Sequence, residues 1–241
     1  MEKLVYLLWS EAGSAPSDNY ARIRTELSAK LLALAPRSLW IQVDDQFADV
    51  PVPLPIPEGE EVPVAVISIW LDRYDDRAPF EDAMNSFSSR IAGYLVLESM
   101  YTDYGGNRHS EKRSWPDGER SPGVTMVTLM EKPDRLTEDE WLTHWHTVQS
   151  PVSEAMQPRT RYVRNTVVRA VTPDAPPYRG IVEECWPTPE HITDPMLFYC
   201  AGDDAALMKA NLSEMLGSVM AFLDLDRIRS ITMSEYLLKS Q

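Results

Sequence analysis

The chain has 241 residues, 44% of them hydrophobic, which is enough apolar material for one large domain or two small ones. Its formal charge of -14 would repel phosphate backbones and anionic lipid surfaces, so no nucleic-acid or membrane partner is expected. No apolar run reaches the roughly 20 residues of a spanning helix, and the opening Met-Glu-Lys-Leu-Val lacks a signal-peptide pattern, so a cytoplasmic location is expected.

Leu4 to Trp9 is apolar on both alternating faces and reads as a strand covered on both sides. After the turn-rich Gly13 to Ser17, Asp18 can cap a helix in which Tyr20, Ile23, Leu27, Leu31 and Leu34 form a stripe that Pro36 stops. Ser38 to Val43 is a second strand. The proline-rich Val50 to Pro63 cannot join a ladder and reads as a surface excursion. Val64 to Leu71, a helix at Pro79 to Ser89 and a strand at Ile91 to Met100 complete a βαββαβ order. Tyr104 to Pro122 has no periodicity and reads as an exposed connection, with His109 in solvent.

The order then repeats: strand Val124 to Met130, a helix from Thr137 to Met156, strands Arg161 to Val171 and Gly180 to Trp186, a long helix capped by Asp203 or Asp204, and strand Ile228 to Leu238. Thr137 and Glu140 form a capping-box pair, and Trp141, Trp145, Val148, Val152 and Met156 share one helical stripe. Pro151 is expected to end the first run, with Ser150 capping a second short helix. Pro187 to Gly202 is an added segment. Spacings such as Arg90-Ile91 to Glu98 against Arg227-Ile228 to Glu235 echo a duplication, giving 1–104 as a first repeat, 105–122 as a linker and 123–241 as a second repeat. Two βαββαβ units are ferredoxin-like α+β folds whose antiparallel sheets can cover each other as a barrel or sandwich, with a cavity on the helix side of each half.

Gly123 to Pro133, Leu136-Thr137 with Glu140-Trp141, Trp145, Pro151, and Arg161-Tyr162-Val163 with Asn165-Thr166-Val167 resemble the EthD family of dimeric α+β barrel proteins. Gly180-Ile181-Val182-Glu183 and Phe222-Leu223-Asp224 with Arg227 also fit, so the resemblance covers the second half, while the first half matches by topology only. It implies a greasy pocket and cofactor-free proton transfer on a bulky, often aromatic molecule. Where the family has a histidine before a small residue and proline, this chain has Gln149-Ser150-Pro151, and glutamine cannot take up a proton near neutral pH. His144 stands where the family often has tyrosine.

Glu183-Glu184 must send one carboxylate to each face of an otherwise apolar strand, giving a candidate acid or base or else a buried ion pair with a neighbouring arginine. His144, Glu184 and Tyr162 are the catalytic candidates, and Gln149, Trp145, His146, Arg164, Asn165 and Trp186 the substrate-binding ones. His144 and His146 lie about 200° apart on a helix and cannot chelate one ion, so no metal is expected, nor any other cofactor. Cys185 and Cys200 have no ligand spacing and read as core residues. Two readings stand: a lyase eliminating water, carbon dioxide or formaldehyde from an aromatic or polyketide-like substrate, and a non-catalytic binding protein. A cyclase, isomerase or monooxygenase on the same fold and a homodimer of the tandem chain are left open.

Overall fold

Strands that are apolar on both faces need cover on both, and the computed structural model, which describes residues 1–10 and 16–240, supplies it by closing all eight strands into one barrel. The strands are β1 (Glu2–Trp9), β2 (Ser38–Val43), β3 (Ala65–Leu71), β4 (Arg90–Thr102), β5 (Val124–Met130), β6 (Arg161–Ala170), β7 (Gly180–Trp186) and β8 (Ile228–Lys239). Their order around the barrel is β1-β3-β2-β8-β5-β7-β6-β4, every neighbouring pair antiparallel. Within each half, the fourth strand pairs with the first, the first with the third and the third with the second. The halves join at β2–β8 and at β4–β6, where the register shifts twice.

Helix α1 runs through Pro16–Arg22, Ile23–Leu27 and Ser28–Ala33, and α2 is Ala78–Asn85. Both cover the first half, with Ile23, Leu27, Leu31, Phe80 and Met84 packed on Leu4, Tyr6 and Leu8. The turn expected at Gly13 to Ser17 lies partly outside the described residues, and α1 already includes Asp18, ahead of which its described part begins at Pro16. Leu34, expected on the stripe, is exposed, because the helix ends at Ala33 and Ala35 turns the chain with a φ of 55°. The second half is covered by α3, a continuous run of Glu138–His144, Trp145–Gln149 and Ser150–Met156, and by α6 (Ala205–Phe222), with α4 (Glu190–Thr193) and α5 (Pro195–Phe198) formed from the added segment.

The barrel interior is shared by both halves and is divided along its length. Val5, Leu7, Val66, Tyr94, Val127, Ile181 and Met233 make an apolar end. The other end is charged. Glu183 is fully buried and receives hydrogen bonds from Lys3 Nζ (3.0 Å), Gln42 Nε2 (2.6 Å) and Asn165 Nδ2 (2.9 Å). Arg161 Nη1 lies 2.7 Å from Glu235 Oε2 and 3.6 Å from Glu183 Oε2.

Two loops expected in solvent have structural work. The 103–122 connection lies along β8: Tyr104 Oη and Ser121 Oγ both donate to Glu235 Oε1, and the backbone N–H groups of Gly118 and Ser121 donate to Leu237 and Glu235. His109 is half-buried, not solvated. The proline-rich segment crosses to the second half, where Ser230 N donates to Leu54 O and Val50, Val52 and Leu54 pack on its helices. Its prolines exclude a ladder, but the apolar residues between them form a covering strap.

Since the interior belongs to both halves, residues 123–241 expressed alone should not give a soluble monomer that unfolds cooperatively, but should aggregate or self-pair through the bare sheet face. Size-exclusion chromatography with a thermal melt checks this, and a well-behaved monomer would contradict it.

Candidate active site

The capping box starts α3 as its residues dictate: Thr137 Oγ1 accepts from Glu140 N, and Glu140 Oε2 accepts from Thr137 N. The expected break at Pro151 does not occur. Ser150 is helical (φ -64°, ψ -46°), because Trp145–Gln149 forms a widened π turn in which Ser150 N donates to Trp145 O. The wide turn absorbs a proline that has no N–H to give and would otherwise crowd the preceding carbonyl. It also changes the helix phase. Trp145, Gln149, Ser153 and Gln157 fall in line along one wall, and Val148, expected on the stripe, is exposed.

That wall faces a cavity of about 300 Å³ between the outer face of β5–β8 and helices α3 and α6. Met126, Met130, Val182 and Ile228 floor it, Met215, Val219 and Phe222 of α6 roof it, and Phe198, Tyr199, Pro53 and Leu54 close its sides. A polar corner is formed by Gln149, Ser153, Gln157, Tyr162 and Glu184, and a second polar spot by Thr128 and Ser230, whose hydroxyls are 3.1 Å apart. No histidine or cysteine lines it among the described residues.

Glu184 is the group best placed for chemistry. Its Oε1 is 2.5 Å from Arg159 Nη1, and its Oε2 has no hydrogen-bond partner among the described residues. Arg159 is fully buried and lies 3.9 Å over the Tyr162 ring; burial works against its charge, but Glu184, Tyr162 and Glu154 outweigh it and hold Arg159 above the usual arginine value. Burial pushes the Tyr162 phenol up, Arg159 opposing, so Tyr162 stays protonated near neutral pH with its hydroxyl 3.2 Å from Ser150 Oγ. The amide of Gln149 donates to Met215 Sδ at 3.2 Å, while its Oε1 is buried without a partner and is free to accept from a ligand hydroxyl.

The expected site is therefore assembled only in part. Glu184, Tyr162, Gln149 and Trp145 all line the cavity. His144 does not: it sits on the flank of α3 that α6 covers, its Nε2 donating to Ser218 O at 3.0 Å and its ring stacked on Phe222. His146 lies beside Trp145 outside the lining, its ring kept neutral by burial and by the neighbouring Arg164. Arg164 donates to Ser150 Oγ at 2.9 Å and braces α3 from outside. Asn165 faces the barrel interior, as alternation requires of the residue between Arg164 and Thr166, and Trp186 is packed beneath Phe198 at 4.7 Å. Arg159 has only one signal in the sequence, a cationic residue just before the strand that pairs with Glu184; Phe198 reaches the cavity from the last residue of α5, Tyr199 from just beyond it, and Pro53 and Leu54 from the proline-rich strap, none of which the sequence marks.

No protein-family model matches the chain, and no curated protein sequence does either. Solved structures do. An anthrone oxidase-like protein superposes with a TM-score of 0.56 at 12% identity, over 99% of this chain and 94% of its own. A candidate monooxygenase from Lactobacillus acidophilus NCFM gives 0.51 at 13% identity, over 100% and 97%. The fold, an α+β arrangement around a closed eight-stranded antiparallel barrel, is shared with these two proteins. At such identities the likeness speaks for the fold alone. No helix is long and apolar enough to cross a membrane, and no group of three or more His, Cys, Asp or Glu is placed to hold a metal among the described residues.

Proposed function

We propose that the protein is an enzyme that removes a proton from a bulky, hydroxylated aromatic or polyketide-like molecule held in the α3–α6 cavity, with Glu184 as the base. The observation that carries this is a carboxylate fixed through one oxygen by a buried guanidinium, its other oxygen without a partner among the described residues, in the polar corner of a largely apolar pocket. The proton passes to Glu184 Oε2 and the electron pair stays on the substrate, spread over its ring system. Gln149 and the Thr128–Ser230 hydroxyl pair bind substrate oxygens, and the methionines and aromatic rings exclude water.

The loss of a small leaving group from the resulting anion makes the enzyme a lyase. A second reading is favoured by the likeness to the anthrone oxidase-like protein and the candidate monooxygenase: the same anion reacts with dioxygen. Both begin with the same proton transfer. The repeated strand order supports reading the chain as two ferredoxin-like units in tandem; the motif resemblance of the second half supports reading that unit as EthD-like, and the charge of -14 supports an enzyme of small molecules without a nucleic-acid partner. A panel of hydroxylated fused-ring ketones, followed by absorbance, mass change and oxygen uptake, separates the readings. Product without oxygen uptake is expected of the lyase, product with stoichiometric uptake of the oxidase, and binding without conversion of any panel member would contradict both.

A further inference from the structure

Arg159 serves two carboxylates. Its Nη1 meets Glu184 in the cavity wall, and its Nη2 lies 3.1 Å from Glu154 Oε2 and 3.0 Å from Ser153 Oγ. Glu154, on α3, faces the opposite way: its Oε1 accepts from Thr102 Oγ1 at 2.9 Å and from Asn107 Nδ2 at 3.3 Å, and its side chain is more exposed than that of Glu184 (24% against 12%). One buried cation is thus held between two anions.

In a simple buried pair, a proton arriving on the carboxylate strands its arginine, and that cost makes the carboxylate a poor base. Here the guanidinium keeps Glu154 when Glu184 is protonated. We propose that Glu154 is a positioning residue for the base: it holds Arg159 in place and paired while Glu184 carries the substrate proton. This rests on Glu184 being the base. In the step, a substrate C–H or O–H bond breaks, its electron pair stays on the substrate, the proton forms an O–H bond at Glu184 Oε2, and Arg159 remains charged throughout.

The ionisable groups facing the pair are few. Arg159 and Tyr162 approach from the β6 side, Tyr199 from the end of α5, and His109 of the β4–β5 connection lies near Glu154. Burial, with Arg108 adding to it, pushes His109 down, so it carries no charge near neutral pH that could replace Arg159. The strand neighbour of Glu184 on the other side, Met126, is uncharged.

The test is single-turnover kinetics of the full chain on the hydroxylated fused-ring ketone that is converted fastest. In Glu154→Gln the chemical step is expected to slow roughly tenfold or more with KM within a few-fold of the parent, because Arg159 is then left without a counter-charge whenever Glu184 takes the proton. Glu154→Asp keeps the charge but retracts it by a methylene; it should lose less of the rate and serves in place of Glu154→Gln should that variant not fold. An unchanged chemical step in the folded variant, or a loss confined to KM, overturns the role of Glu154. Full turnover in Glu184→Gln overturns the base reading, and this inference with it.

Discussion

Arg161→Leu is expected to destabilise the fold by about 3–5 kcal/mol, the usual cost of removing one member of a buried ion pair. The loss falls on Glu235. Its Oε2 is 2.7 Å from the guanidinium, both side chains are wholly buried, and the other donors to its carboxylate, the Tyr104 and Ser121 hydroxyls and the Cys185 thiol, are neutral. Glu183 keeps Lys3 at 3.0 Å and so remains paired. At about 2–4 °C per kcal/mol for a chain of this size, the melting temperature should drop by roughly 6–20 °C. Adding Glu235→Gln to Arg161→Leu should recover part of the loss, because the orphaned charge is then gone. Thermal melts of the single and double variants check both statements, and an unaltered melting temperature in Arg161→Leu would contradict the first.

The same network sets an acid limit. Burial alone would raise Glu183, but Lys3 and Arg161, with hydrogen bonds from Lys3 and Asn165, bring it down to about 2. Its folded value lies below its unfolded one, so the stability it contributes is complete above the unfolded carboxylate value near 4.5 and drains away as pH falls toward about 2. Urea midpoints measured across that window should decline.

Much of the architecture can be read in the residues because local chemistry alone decides it. Leu4 to Trp9 had to be covered on both faces, Thr137 with Glu140 had to start a helix, and Glu183-Glu184 had to send carboxylates to opposite sides of β7. What failed depended on distant partners. The flank carrying His144 was set correctly by helical angle, but only the position of α6 decides that this flank meets Ser218 and not the cavity. Pro151 was read as a break from its steric bias against a helical Ser150; the π turn accommodates the proline without a break and, by changing the phase, brings Gln149 to the wall and turns Val148 to solvent. The strap at Val50 to Leu54 became visible only once the halves were closed on each other, and the Arg159 anchor only once β6 was paired with β7, since nothing near it in sequence names Glu184 as its partner.

Glu184→Gln tests the central claim most directly. The substitution preserves shape and volume, and Arg159 keeps Glu154 as its counter-charge, so the variant should remain folded and cooperative. Single-turnover rates on the panel member that is converted fastest, measured beside its affinity and the melting temperature, should show the chemical step slowed by roughly 10²–10⁴, the usual worth of a general base, with binding within a few-fold of the parent. A folded Glu184→Gln protein that turns over at the parental rate would contradict the account.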